Sequence, residues 1–276
     1  MKTGIVRRIG LFLASLAVVA MGFVSGASHQ ASSASGSILD RVQSDHTLIV
    51  ATEQANAPYS MIGSNGQLTG FDVDIAKSIA STLGAKVDFR TVNDAGRITA
   101  LQTNQVEMVV ANFTITPLRA LTVDFSRPYL VVHGQFVTLA RRHDLKSLSD
   151  LNKSSIRVAV SRGGTAVTEV PATLPLAHTV TYNSVADTVQ ALNAGQVDAI
   201  SQDNLFNGAL IKNHPGQYQA IPGYYSSEMI GIGLPKGDLE WARWVDLWVQ
   251  DFVNSNQENQ SFKTWFGFPA PPLGLQ

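Results

Sequence analysis

The chain has 276 residues, a formal net charge of −1 and no cysteine. A balanced charge without a basic stripe argues against nucleic acid as a partner. The absence of cysteine excludes disulfides, thiolate metal sites and a lipid-bearing cysteine after a signal sequence.

Residues 1–27 have the three regions of a cleaved secretory signal peptide. Lys2, Arg7 and Arg8 precede an apolar run of about 16 residues, shorter than the ~20 that a membrane-spanning helix needs. Small residues then favour cleavage after Ala27, and residues 28–45 are predicted to form a flexible leader. Removal of the signal peptide leaves a net charge of −4. Export without a lipid anchor predicts a periplasmic protein, with free secretion as the alternative.

After the leader, two segments repeat the same order of strands and helices. In the first, Ile75, Ile79 and Leu83 are spaced as on one helix face, and Gly84 marks the end of that helix. This segment predicts a strand at 48–51, a helix at 71–83, a strand at 87–89, a short helix around 98–102 and a strand at 106–111. The second predicts strands at 156–160, 178–181 and 197–201, a helix opened by residues 163–165, and a helix at 184–193.

Residues 239–253 predict a C-terminal amphipathic helix with an aromatic stripe that is expected to pack in the core and consists of Trp241, Trp244, Trp248 and Phe252. Strands that alternate with helices imply parallel sheets, and two such segments imply two α/β lobes. Ligands of open α/β sheets bind beyond the carboxyl ends of the strands. The residues that follow those strands are Glu53, Arg97, Arg119, the turn at 163–165, and Asp203.

These residue types suit a free amino acid. An arginine fork pairs with a carboxylate through two parallel hydrogen bonds, glycine amides at a helix N-terminus add donors, and an aspartate suits the ammonium group. Each signal alone has an ordinary explanation, since Asp203 and the Gly163–Gly164 turn could simply cap helices.

The order of several motifs resembles bacterial extracellular solute-binding proteins of family 3, the periplasmic polar amino-acid-binding proteins of ABC importers. The motifs are ANFTITPLR at residues 111–119, VDFSRPY at 123–129, GFDVDIA at 70–76, SRGGT at 161–165 and VDAISQD at 197–203. The resemblance runs from about Leu48 to Phe268. It implies a type II periplasmic-binding-protein fold, in which each lobe is a mostly parallel sheet flanked by helices. It places one lobe at 46–138 plus 230–276 and the other at 139–229, with hinge strands near 137–140 and 229–232.

The resemblance also implies roles for individual residues. Arg119, helped by the amides around Gly164 and Thr165, would hold the ligand's α-carboxylate, and Asp203, with Thr114 and Asn112, its ammonium. Asn56 replaces the aromatic residue that stacks on the ligand in many relatives, so Tyr59 or Phe113 is expected to supply that wall. An arginine at position 97 and the C-terminal WFGFP motif resemble members that bind acidic amino acids.

The predicted function is therefore capture of L-glutamate or L-aspartate by lobe closure and delivery to an inner-membrane permease, by a monomer without cofactor or metal. Glutamine is the next ligand, because Glu53 would repel an acidic side chain unless it pairs with Arg97. The sequence contains no nucleophile elbow and no histidine pair with metal-binding spacing, so it does not indicate an enzyme. The alternative from another class is a cleft enzyme of the cyclohexadienyl or arogenate dehydratase type, with Glu53 as general acid.

Overall fold

The computed structural model describes residues 36–273. The signal-peptide prediction and the first part of the predicted leader lie outside these residues. The helices are α1 (Ile38–Asp45), α2 (Phe71–Thr82), α3 (Gly96–Gln102), α4 (Pro117–Ala120), α5 (Leu148–Leu151), α6 (Ala166–Thr173), α7 (Val185–Asn193), α8 (Asn204–Asn213), α9 (Leu239–Asn254) and α10 (Gln257–Phe266).

The strands are short, and several of those outside the repeated segments have only two or three residues. They are β1 (Thr47–Thr52), β2 (Ala55–Asn56), β3 (Ser60–Ile62), β4 (Leu68–Thr69), β5 (Lys86–Thr91), β6 (Met108–Val109), β7 (Asp124–Phe125), β8 (Leu130–Val132), β9 (Gly134–Leu139), β10 (Arg157–Ser161), β11 (His178–Tyr182), β12 (Ala199–Asp203), β13 (Tyr218–Ala220), β14 (Glu228–Ile230) and β15 (Gly233–Leu234).

Two five-stranded sheets of the same topology form the cores of two lobes. The first lobe has the strand order β5-β1-β6-β15-β7, and the second has β11-β10-β12-β9-β13. In each sheet the first three strands of this order are parallel, and the fourth strand is antiparallel to both of its neighbours. This arrangement is the two-lobed α/β fold that the alternation of strands and helices predicted.

The chain crosses between the lobes on a pair of antiparallel strands. It leaves the first lobe on β8 and returns on β14, with Val132 opposite Glu228 and Leu130 opposite Ile230. The return crossing lies at residues 228–230. The outgoing crossing does not lie near 137–140, because residues 134–139 form β9 inside the sheet of the second lobe. The second lobe therefore begins before residue 139.

The predicted flexible leader is wrong over its last eight residues, which form α1. Ile38 and Val42, four residues apart, are buried against the core of the first lobe. The Ile38 amide and the Ser37 hydroxyl donate to the carboxylate of Asp238, which precedes α9. A helix anchored by both apolar and polar contacts is part of the folded lobe.

The C-terminal helices cover the outer face of the first lobe. Trp241 and Phe252 of the predicted aromatic stripe are buried on α9 together with Val245 and Val249, whereas Trp244 and Trp248 are only partly buried and pack against the core. The following α10 has a polar sequence that gave no prediction, yet Phe262 and Phe266 pack edge-on against Phe71 at ring distances of 5.6 and 5.7 Å. Each buried side chain of this size contributes roughly 1.5–3 kcal/mol.

Candidate functional site

A cleft lies between the lobes, at the carboxyl ends of the parallel strands and against the hinge. Six of the residues predicted from the sequence line it: Arg97, Asn112, Thr114, Gly164, Thr165 and Asp203. Glu53 lines an adjoining groove. Tyr59, Phe113 and Arg119 are not among the lining residues but contact residues that are.

Asp203 joins the two lobes. It is the N-cap of α8 in the second lobe, where its Oδ1 accepts hydrogen bonds from the amides of Leu205 and Phe206, both at 2.9 Å. From the first lobe, Tyr59 donates its hydroxyl to Oδ1 at 2.8 Å, and Asn112 donates Nδ2–H to Oδ2 at 3.0 Å. The sequence left open whether Asp203 caps a helix or faces the cleft, and the structure shows that it does both. Oδ2, with one bond, has room for another donor.

Arg119 also reaches across the cleft. It is buried in the first lobe, where its Nη1 donates to the carbonyl of Thr114, and its Nη2 donates at 2.8 Å to the carbonyl of Gly163 in the second lobe. Burial, and then the nearby Arg97 cation, lower the pKa of Arg119 to about 10. Two hydrogen bonds leave other guanidinium N–H groups for an anion.

Arg97 is held within a cluster of acidic residues. Its Nη2 lies 2.6 Å from Asp94 Oδ1, its Nη1 lies 3.6 Å from Glu53 Oε1, and Nη1 also donates to the carbonyl of Ala111 at 2.9 Å. The side chain is 2% exposed. Burial and the neighbouring Asp94 carboxylate raise the pKa of Glu53 well above its usual value. The expected Glu53–Arg97 pairing is therefore present, but Asp94 is the closer partner.

The ring of Phe113 contacts the guanidinium groups of both arginines. Its ring is 1% exposed, and the guanidinium carbons of Arg97 and Arg119 lie 4.8 and 4.9 Å from its centre. Cations over an aromatic face are stabilised by the ring quadrupole. Phe113 therefore holds the cations beside the cleft.

Sequence reasoning missed three participants. Asp94, which pairs with Arg97, stands three residues before it, a spacing that brings side chains together on a helix. Glu228 follows no predicted strand, yet it accepts hydrogen bonds from the hydroxyls of Thr114 and Thr165, at 2.7 and 3.0 Å. Tyr225 shares a 2.5 Å hydrogen bond with Ser201 on the wall of the cleft.

Three buried oxygens in this region accept no hydrogen bond from the described part of the protein. They are Glu53 Oε1, Asn56 Oδ1 and Asn112 Oδ1. Buried acceptors without donors cost about 1–3 kcal/mol each. Gln202, which also lines the cleft, has an Nε2 group without an acceptor in the same range, so acceptors outnumber donors among these open groups and favour a ligand with several N–H groups.

Comparison with known proteins agrees with this architecture. Residues 48–268 match the family of bacterial extracellular solute-binding proteins, family 3. The chain belongs to this family. It is a solute-binding protein and not an enzyme, as its sequence predicted. In residues 36–273 no helix is long and apolar enough to cross a membrane, and no cluster of metal-binding side chains is found.

Three relatives are informative. The ABC transporter glutamine-binding protein GlnH of Bacillus subtilis is 31% identical over 206 residues, which span 73% of this chain and 74% of GlnH. The ancestral amino acid-binding protein AncCDT-1, described as a precursor of cyclohexadienyl dehydratase, superimposes with a TM-score of 0.78 at 33% identity, covering 83% of this chain and all of that one. An ancestral arginine-binding protein bound to arginine gives 0.75 at 32% identity, with coverages of 80% and 99%.

Proposed function

We propose that this protein captures a free L-amino acid in the periplasm and delivers it to the permease of an ABC importer. Asp203 carries this proposal, because its carboxylate faces the cleft and is already bonded by both lobes. A ligand ammonium group that pairs with Oδ2 adds a contact to the point where the lobes meet. Such a ligand favours the closed arrangement through its differential affinity.

The other charge of the amino acid has a complementary partner in Arg119. Its guanidinium lies beside Thr114 and Gly163 and makes no ion pair with an acidic side chain in the described range. A buried guanidinium without a counter-ion is costly, and a ligand carboxylate would compensate it. Thr165, at the start of α6, offers its amide to the same carboxylate.

Our proposal for the ligand side chain differs from the acidic side chain that the sequence predicted. An acidic ligand requires a free Arg97, but Asp94 and Glu53 already pair with this arginine. Counting Asp203 and Glu228, four carboxyl groups and one guanidinium group line the cleft and its adjoining groove. We therefore favour a side chain with N–H donors, such as that of glutamine or arginine, which would satisfy Glu53 Oε1 and Asn56 Oδ1. Glutamate and aspartate remain the second candidates because Arg97 lines the cleft.

Calorimetry of the mature protein against glutamine, arginine, glutamate and aspartate tests this proposal. Tightest binding of glutamine or arginine is expected. Asp203→Asn and Arg119→Ala should each weaken binding by at least a hundredfold, since each leaves one charge of the bound zwitterion unpaired. The control is Arg90→Ala, which removes an exposed cation that lines neither the cleft nor the adjoining groove. Failure of all four amino acids to bind would refute the proposal.

Location and assembly state are part of the same proposal. We infer that residues 1–27 direct export and are removed, and that the mature protein acts as a monomer that docks to a permease in the inner membrane. N-terminal sequencing of the protein recovered from a periplasmic extract should begin at Ser28, and light scattering should give the mass of one chain. A protein retained in the cytoplasm with Met1 intact would contradict the export step.

A further inference from the structure

Glu228 has a position that the amino-acid-binding function does not require. It is the first residue of β14, the returning hinge strand, and its side chain lines the cleft. Its Oε2 accepts hydrogen bonds from Thr114 Oγ1 in the first lobe and from Thr165 Oγ1 in the second. One carboxylate oxygen of the protein thus occupies the hydroxyl donors of both lobes at the end of the cleft where Arg119 lies.

The hinge segment holds this carboxylate in place. Ser226 donates its hydroxyl to Glu228 Oε1 at 3.1 Å, and the Gly134 amide donates to the Ser226 carbonyl at 3.2 Å. A Cβ atom at position 134 would lie 2.4 Å from Ser226 Oγ and 2.5 Å from the Tyr225 ring. The absence of a side chain at Gly134 is therefore what allows the segment with Ser226 to pack so closely.

Glu228 also makes no direct ion pair in the described part of the chain, although the Arg119 guanidinium is near enough to interact with it electrostatically. Among residues 36–273, no lysine, arginine or histidine nitrogen lies within 4.0 Å of its carboxylate, whereas Asp94 has Arg97 at 2.6 Å. Thr114 and Thr165 are the residues expected to hold the polar groups of a bound amino acid. A ligand carboxylate that approaches Arg119 must therefore enter beside Glu228, and it meets a like charge.

We propose that Glu228 is a specificity-determining residue, an internal carboxylate that competes with the α-carboxylate of the ligand for the Thr114 and Thr165 hydroxyls. This proposal rests on the amino-acid-binding function above. Glu228 lowers the affinity of the cleft for amino acids. It thereby reduces the difference in affinity between amino acids and amines that have no free carboxylate. Its hydrogen bonds to both lobes also connect the lobes across the cleft, and a bound ligand replaces this connection.

The test is the isosteric variant Glu228→Gln, combined with ligands that have or lack the carboxylate. The glutamine amide is neutral, so it accepts more weakly from the threonine hydroxyls than the carboxylate does, and it gains a donor for the ligand. With L-glutamine and L-arginine, the variant should bind at least tenfold more tightly than wild type, equivalent to about 1.4 kcal/mol. With the α-amides of the same two amino acids, measured by calorimetry at millimolar concentration, wild type and variant should agree within twofold.

The control is Glu240→Gln, which removes an exposed carboxylate from the first turn of α9. It should change neither ligand series. An equal gain for the acids and their amides, or no gain for the acids, would overturn the assignment of Glu228. A wild-type protein that binds no amino acid would overturn the proposed function and this proposal together, whereas binding without any effect of Glu228→Gln would overturn this proposal only.

Discussion

The carbonyl oxygen of Gly163 accepts a 2.8 Å hydrogen bond from Nη2 of Arg119, which joins the second lobe directly to the first. Gly163 has a φ of +88°, and a Cβ atom there would lie 2.6 Å from Ala95 Cα and 2.8 Å from the Asp94 carbonyl carbon, both in the first lobe. The lobes meet at a position that accommodates only glycine. Closure of the cleft therefore depends on this residue.

Gly163→Ala should weaken amino-acid binding at least tenfold, because the added methyl group holds the lobes apart. Small-angle scattering in the presence of saturating ligand should show a larger radius of gyration than wild type. Gly216→Ala is the matched control, since Gly216 has a φ of +78° and no atom of the described residues lies within 4 Å of the added Cβ. Both variants carry the roughly 1–2 kcal/mol cost of a left-handed alanine. Equal binding by the two would show that the clash does not control closure.

Arg97→Leu should destabilise the fold by about 3–5 kcal/mol, since it leaves Asp94 and Glu53 buried without their cation. Urea denaturation measures this loss. Arg90→Leu, in the exposed pair with Asp88, should cost less than about 1 kcal/mol. A stable Arg97→Leu protein that has lost glutamate binding alone would instead support the acidic ligand predicted from the sequence.

Tyr59→Phe should lower ligand affinity about tenfold, because it removes the 2.8 Å bond from the first lobe to Asp203 in the second. Hydrogen bonds to charged groups are worth about 1.5–3 kcal/mol. Tyr129→Phe is its counterpart within one lobe, where the hydroxyl donates to Asp72 at 3.0 Å. That variant should lose stability in urea but bind ligand within twofold of wild type. Equal losses of affinity would argue that Tyr59 has no special role across the cleft.

Glu258 should make stability depend on pH. Its side chain is buried, one of its oxygens has no hydrogen-bond partner among residues 36–273, and burial raises its pKa from 4.5 to about 7. The folded state holds this proton more tightly than the unfolded state, so the residue destabilises the fold progressively as pH rises from about 4.5 to about 7.

Glu258→Gln removes this ionisation. Its free energy of unfolding should match wild type near pH 4.5 and exceed it by up to about 3 kcal/mol at about pH 8. Urea titrations at both pH values provide the comparison. Glu240→Gln, at an exposed site, should show no such divergence. A constant difference across the pH range would mean that the carboxyl group of Glu258 does not titrate between these values.

The spacing of apolar residues and the glycines at helix ends located the elements of the repeated segments. Ile75 and Ile79 placed α2, and Val189 with Leu192 placed α7, because helix faces that bury apolar residues leave a spacing of three or four in the sequence. The helix α10 was not predicted, although Phe262 and Phe266 have this spacing, because two apolar residues in a polar sequence are a weak signal. Their packing against Phe71 identifies this face as the buried one.

By itself, the sequence determined the two α/β segments, the family motifs and six of the residues that line the cleft, because strand order places those residues at the same sheet edge. Only the tertiary structure decided how the charges are paired. Asp94, Glu53 and Arg97 form one buried cluster, and Glu228, from the other end of the chain, lies between Thr114 and Thr165. Pairing of charges depends on distances of a few ångströms between distant segments, and these follow from how the lobes pack.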